Sequence, residues 1–585
     1  MGVGLNSALV ALLGVIIFHL LQNWYQYSED QEPEGSSKMF KKEVEALFSE
    51  FWQWRLQESP EFASIIGNHI FDDKLESYSL EAFQKRKSEA ESFLEVAKDL
   101  LSEVKDEVDH SNLELFIADL QSFIDGINAF GYFYPINHLE GVHIELERIV
   151  KSCMNLESVD DFWKLIARYR AFPKQAEEII ELLREGIRQG RTNHLVSMEN
   201  VPKQFADLQT SVEESPFFQP FLSIPKVISS SEKEALKSEA HMVIKSQLLP
   251  AFQALGSFIE SEYMAALRPN ISVSSLPDGE KFYQECLKFH ISCDMSPEEV
   301  HKIGLQEVER ISKDLDEVVE TLASNVTTSE FLRKIRTDPQ FFYKTSEELL
   351  SGYEDIVLNQ IRPKLPLIIK NIPKMKLSII PTPPTMSGGP LAYYLSGAED
   401  GSRPGTFFVN TGDIAASPKY EMMSLSLHEA EPGHHLQSSY MIEQTGVPAF
   451  RRNIEDRKYS DVPSRFPLHT AYLEGWGLYS EFLGHELGLY EDPYFLLGRL
   501  SQEIFRACRL VVDTGIHAFG WSREKAINFM LEHSAATKQN IEKEVDRYIT
   551  WPGQACAYKI GELKIKELRN KAKTQLGKIK LFCLI

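Results

Sequence analysis

Residues 428–437, HEAEPGHHLQ, place three histidines and two glutamates within eight positions. Imidazole nitrogen and carboxylate oxygen are donors that zinc takes. Zinc-dependent hydrolysis needs three protein ligands, an open position, and a carboxylate to accept a proton from water. His428 and Glu429 open an H-E-x-x-H pattern, in which two histidines about 6 Å apart along a helix axis meet one ion. Here the fifth position is Pro432, and the next histidines are His434 and His435. On an unbroken helix His434 would lie about 240° around from His428, and His435 about 10.5 Å up the axis. Pro432 cannot donate to the carbonyl of His428 and crowds that turn, while Gly433 tolerates the backbone that a break requires. A bulge absorbing two residues brings His434 to the second ligand position, with His435 as the alternative.

A third ligand is expected from a nearby helix. The segment 469–488, HTAYLEGWGLYSEFLGHELG, offers Glu474, Glu481 and Glu486. Glu474 is favoured because Gly475 and Gly477, flanking Trp476, leave room for another helix to approach. Glu481, two turns along the same face, is suited to orient a histidine from behind. His517 stands four residues after Asp513, so on a helix that carboxylate can orient its imidazole. The pair either assists an oxyanion or is a satisfied core pair. Arg547 either grips a substrate carboxylate or pairs with neighbouring acids.

The elements that must position these residues are mainly helical. From 38 to 366 apolar residues recur at three- and four-residue steps, and Ser296 with Glu299 forms a capping box ahead of Pro297. Near 373 the character changes. The stretches 374–381, 391–395 and 405–410 are short, β-rich and separated by Gly, Pro and Ser, which predicts a small antiparallel sheet. The segment 392–410 is expected to supply an edge strand for a peptide, with Arg403 near its rim. The division reads as 1–37, an N-terminal segment with an acidic linker; 38–372, a helical lobe; and 373–585, a catalytic lobe.

The chain has 585 residues, 43% hydrophobic and 25% charged, enough for a large globular core. A net charge of −23 argues against nucleic acid as a partner. Six scattered cysteines exclude a disulfide framework or thiolate zinc site, leaving at most a single bridge such as Cys286–Cys293. The apolar run 5–21 is a signal anchor, the core of a signal peptide, or a terminal core helix; Trp24 and Tyr25 behind it suit a membrane interface. The sequons at Asn270 and Asn325 suit an extracytoplasmic or secreted body. With one segment able to span a membrane, a transporter is excluded.

At these residues the chain resembles the gluzincins, zinc peptidases with two histidines and a downstream glutamate. The residues HE…GHH are similar to the H-E-x-G-H helix of angiotensin-converting enzyme, oligopeptidases and Taq-type carboxypeptidases, with two residues inserted. LEGWGLYSE is similar to the aminopeptidase stretch whose first glutamate is a ligand. More closely, the chain resembles domain-of-unknown-function family 885, through GSRPGTFFVNT (401–411), HEAEPGHHLQ (428–437), YLEGWGLYSE (472–481), RLVVDTGIHAFGWS (509–522) and WPGQACAYKIGELKI (551–565). The resemblance implies a two-lobed helical fold with a small sheet beside the metal helix. It implies Zn2+ held by His428, His434 and Glu474, Glu429 as general base, and Tyr558 as oxyanion donor; His517, from its spacing to Asp513, is a further catalytic candidate. The implied activity is hydrolysis of short peptides. The rivals are a zinc amidohydrolase on a non-peptide amide and a catalytically silent scaffold.

Overall fold

The computed structural model describes residues 35–576, apart from 383–390, 413, 445, 455–458 and 460–461. The run 5–21 and Cys583 lie outside the described residues. Among those described, no helix is long and apolar enough to cross a membrane.

Helices dominate, because apolar residues at helical spacing give each segment one face to bury. Helices α1 (Gly35–Glu58), α2 (Leu80–Glu103), α3 (Glu107–Asn128) and α4 (Val159–Arg188) merge their apolar faces in one core around Phe51, Phe83, Phe116 and Tyr169. Side-chain caps fix where they begin: Ser79 accepts from the N–H of Ala82 ahead of α2, and Ser158 and Asp161 form a capping box at α4. Helix α5 spans Gly279–Ile291, and the predicted capping box opens α6, Pro297–Leu322.

The remaining helices that frame the site are α7 (Lys419–Glu429), α8 (His434–Ile442), α9 (Thr470–Glu486), α10 (Pro493–His517), α11 (Lys538–Thr550) and α12 (Ala557–Leu576). Ile311 and Leu315 on α6 share a core with Ile504, Cys508 and Val512 on α10. Gly304 permits the approach, since a Cβ there would lie 2.7 Å from that of Leu510. Packing therefore crosses residue 372, and helices from both sides of the change in sequence character build a common core.

Three strands form as expected, β1 (Leu377–Pro381), β2 (Ala392–Leu395) and β3 (Gly405–Val409), but the sheet is mixed rather than antiparallel. Its order is β1-β3-β2, with β3 parallel to β1 and antiparallel to β2. Strand composition announces where strands form; it does not say that the third inserts between the first two. β3, paired on both sides, is buried at every position, and β2 forms an edge. Arg403 is half-buried and serves as an anchor. Its guanidinium donates to the carbonyls of Ser152, Ile65 and Ser396, tying the β2–β3 connection to the N-terminal helices. The described cysteines are free, so no Cys286–Cys293 bridge forms.

Candidate metal centre

The HEAEPGHH segment contains a complete helix break, where a two-residue bulge was expected. Helix α7 ends at Glu429, Ala430 leaves helical geometry at φ −99° and ψ −102°, the Glu431–Pro432 peptide is cis, and α8 begins at His434. The turn folds back against the helix it has just left. A Cβ at Gly433 would sit 1.8 Å from the carbonyl oxygen of His428, so no other residue fits there. Arg362 grips Glu431 with two hydrogen bonds of 2.9 and 2.8 Å, and the Trp476 indole donates to the carbonyl of Pro432 at 2.9 Å. Sequence reasoning missed both clamps; the acid beside the proline and the tryptophan between two glycines were the available signals.

The break brings the rings of His428 and His434 to 4.8 Å, at 88° to each other. Nε2 of His428 and Nε2 of His434 lie 3.3 and 3.4 Å from the same Glu474 oxygen. Glu474 comes from α9, which the glycines bring close as expected. A Cβ at Gly477 would lie 2.6 Å from His428 Nε2, and one at Gly475 would lie 2.5 Å from the backbone of Gly561 on α12. Among the described residues this is the one His/Cys/Asp/Glu group whose ligand atoms converge, all within 4.8 Å.

Behind His428, Nδ1 is 2.8 Å from Glu481, whose other oxygen accepts from Ser424. The carboxylate holds the proton on Nδ1 and turns Nε2 toward the cluster. Burial would make His428 less basic, but the hydrogen bonds with Glu474 and Glu481 prevail and raise its pKa to about 9. Burial would likewise raise Glu474, yet its bonds to His428 and His434 hold it well below the usual carboxylate range. His434 and Glu474 remain about 15% exposed, so the cluster opens to solvent on one side.

Two nitrogens and one oxygen form a donor set that zinc accepts. Ligands about 2.0–2.1 Å from a tetrahedral ion stand ~3.3 Å apart, close to the 3.3 and 3.4 Å between the Glu474 oxygen and the two imidazoles. Glu429 follows His428 in the chain and is buried, and its carboxylate has no hydrogen-bond or ion-pair partner among the described residues.

Tyr558 on α12 lies beside the cluster, its ring 6.4 Å from that of His428 and 26° from parallel. Its hydroxyl accepts from Arg547 at 3.0 Å and from Gln554 at 3.4 Å, which leaves its own proton available. Arg509 packs its guanidinium 4.4 Å from the centre of the Tyr558 ring. His435 faces the sheet, with Nδ1 3.1 Å from the Tyr394 hydroxyl, and burial lowers its pKa to about 4. The alternative second ligand is thereby set aside. Glu486 pairs with Arg569.

His517 is also corrected. Asp513 does not orient it; that carboxylate accepts from Tyr283 at 2.7 Å and from the Gly553 N–H at 3.1 Å. Both ring nitrogens of His517 are taken by backbone, Nδ1 accepting from Val273 and Nε2 donating to the Tyr548 carbonyl. The ring is a structural pin without a free lone pair.

Residues 60–581 match the family described as "Bacterial protein of unknown function (DUF885)". The fold is similar to that of a candidate lipoprotein from Colwellia psychrerythraea, with TM-score 0.84 and 28% identity over 93% of this chain and 95% of the other. A candidate lipoprotein of unknown function from Shewanella oneidensis shares the fold at TM-score 0.67 and 17% identity, over 92% and 94% of the two chains. No curated protein matches the chain. With the family match beginning just after α1 and covering residues 60–581, the protein belongs to the DUF885 family.

Proposed function

We propose that this protein is a zinc-dependent metallopeptidase that hydrolyses peptide bonds of short peptides, on a gluzincin-like two-lobed frame. The observation that carries the reading is the convergence of His428, His434 and Glu474 within 4.8 Å, with Glu429 beside them and Glu481 behind. A bound zinc ion supplies Lewis acidity toward the scissile carbonyl and lowers the pKa of the attacking water.

The chain's own residues do the rest. The two Nε2 atoms and a Glu474 oxygen hold the ion, and Glu481 keeps the tautomer that makes His428 a ligand. Glu429 takes a proton from water as its oxygen joins the acyl carbon, and delivers that proton to the amine as the C–N bond breaks. Tyr558 donates its free hydroxyl proton as a hydrogen bond to the developing oxyanion. Edge strand β2 offers backbone groups to an extended peptide. The run 5–21 and the lipoprotein descriptions of the two similar structures support an extracytoplasmic catalytic body held at a membrane. Exposed Asn270 and Asn325 agree with that setting.

Metal analysis of the purified protein, combined with cleavage of a mixed peptide library with and without chelator, tests the reading. One zinc per chain and chelator-sensitive cleavage are expected. A metal-free protein that zinc cannot activate would remove it, and selective hydrolysis of non-peptide amides would redirect it to an amidohydrolase.

A further inference from the structure

We propose that Arg547, beside Tyr558, is the binding site for the C-terminal carboxylate of the peptide, making the enzyme an exopeptidase that removes one or two residues from the C-terminus. The inference rests on the zinc-peptidase reading for its catalytic half and on the Arg547 surroundings for its binding half.

Placement comes first. Arg547 Nη2 donates to the Tyr558 hydroxyl at 3.0 Å, and the Tyr558 ring lies 6.4 Å from that of His428. The guanidinium thus stands one tyrosine side chain from the metal cluster, a span that one or two extended residues cover at ~3.5 Å each.

Charge comes second. Arg509 and Arg547 share Glu544, and they share it unequally. Arg509 bonds it at 2.7 Å and the Tyr548 hydroxyl at 3.0 Å, while Arg547 reaches it only at 3.4 Å. The shorter partners of Arg547 are neutral, Gln554 Oε1 at 2.9 Å and the Tyr558 hydroxyl. With its nearest partners neutral and its one acidic partner shared with Arg509, the largely enclosed Arg547 guanidinium keeps attraction for an anion, and its planar fork matches a carboxylate.

The surroundings add a third observation. Arg547 Nε, Trp551 Nε1 and His290 Nε2 are buried nitrogens without a hydrogen-bond partner among the described residues. The Arg547 guanidinium lies 5.1 Å from the Trp551 ring, and His290 is near enough to feel its charge. Buried donors are ordinarily satisfied, and what the Arg547 and Trp551 N–H groups lack is an acceptor. Arg547 is the more open of the two arginines, 18% exposed against 6% for Arg509, and so is the one a ligand meets.

The test pairs an N-acetylated tripeptide as free acid with the same peptide as C-terminal amide. With the zinc-loaded wild type, the acid should be cleaved at least 30-fold more efficiently in kcat/KM, with fragments that shorten from the C-terminus. Calorimetric binding of both peptides to the Glu429→Gln protein should show the same preference without turnover. Arg547→Gln should abolish the preference and Arg547→Lys should keep part of it, each with a melting temperature recorded to establish folding. Equal cleavage and equal binding of acid and amide by the wild type would overturn the carboxylate site while leaving the peptidase standing. Preferential binding of the acid with no hydrolysis of either peptide would uphold the site and sink the peptidase.

Discussion

His428 and His517 are both buried imidazoles near helix ends, each with a carboxylate nearby in sequence, and their fates are opposite. At the α10 terminus the backbone of Val273 and Tyr548 uses both ring nitrogens, and burial pushes the His517 pKa down to about 3. At the α7 terminus Glu481 holds one nitrogen, and the other faces Glu474 and His434. A ring capped twice by backbone has no lone pair to offer. A ring backed by a carboxylate has one once its second proton is displaced, with a fixed direction. Burial and residue type are the same in the two places; the partners decide the chemistry.

The contrast would break most completely at the ligands. His434→Ala should lose stoichiometric zinc, while His435→Ala, whose ring faces Tyr394, should keep it; metal content of the two purified proteins decides. Glu429→Gln should retain zinc and lose turnover by about 10²–10⁴-fold, the usual scale for removing a general base. Glu481→Gln should weaken zinc affinity by about 10–100-fold in chelator competition, because it orients His428 without touching the ion.

Acidity sharpens the comparison further. His428 is raised to about 9, so in the metal-free protein it keeps its proton through neutral pH. That raised value stabilises the metal-free fold fully below pH 6.5, and the contribution is lost as pH rises through about 9. Zinc must displace the proton, so its apparent affinity should fall by about tenfold per unit as pH drops below that value. Titration in buffers of differing ionisation enthalpy reads the released proton. The smallest effect on the site is expected at His517. Its change to alanine should cost about 1–3 kcal/mol of stability for each orphaned backbone group and leave zinc content as in the wild type.

Much of this was legible in the residues. Pro432 and Gly433 announced that the helix could not continue, and the glycines around Trp476 announced a close crossing. The form of the break was less legible, because a proline says where helical hydrogen bonding fails and not where the chain goes next. Arg362 lies 69 residues before Glu431, and no local spacing connects them. The Asp513–His517 pair failed for a related reason. Helical spacing made the contact available, but Tyr283 and Gly553 claimed the carboxylate first. The sheet failed in its order alone, since pairing direction depends on which strands become neighbours.

The amino-acid sequence by itself determined the helical character, the caps, the three strand segments and the set of side chains able to bind a metal. These follow from local sterics, hydrogen-bonding capacity and the spacing of apolar residues. Tertiary structure alone decided the course of the chain through the break, the clamps that hold it and which imidazole is spent on backbone. Those outcomes depend on groups far apart in the chain competing for the same donors and lone pairs, and only the packed helices bring the competitors together.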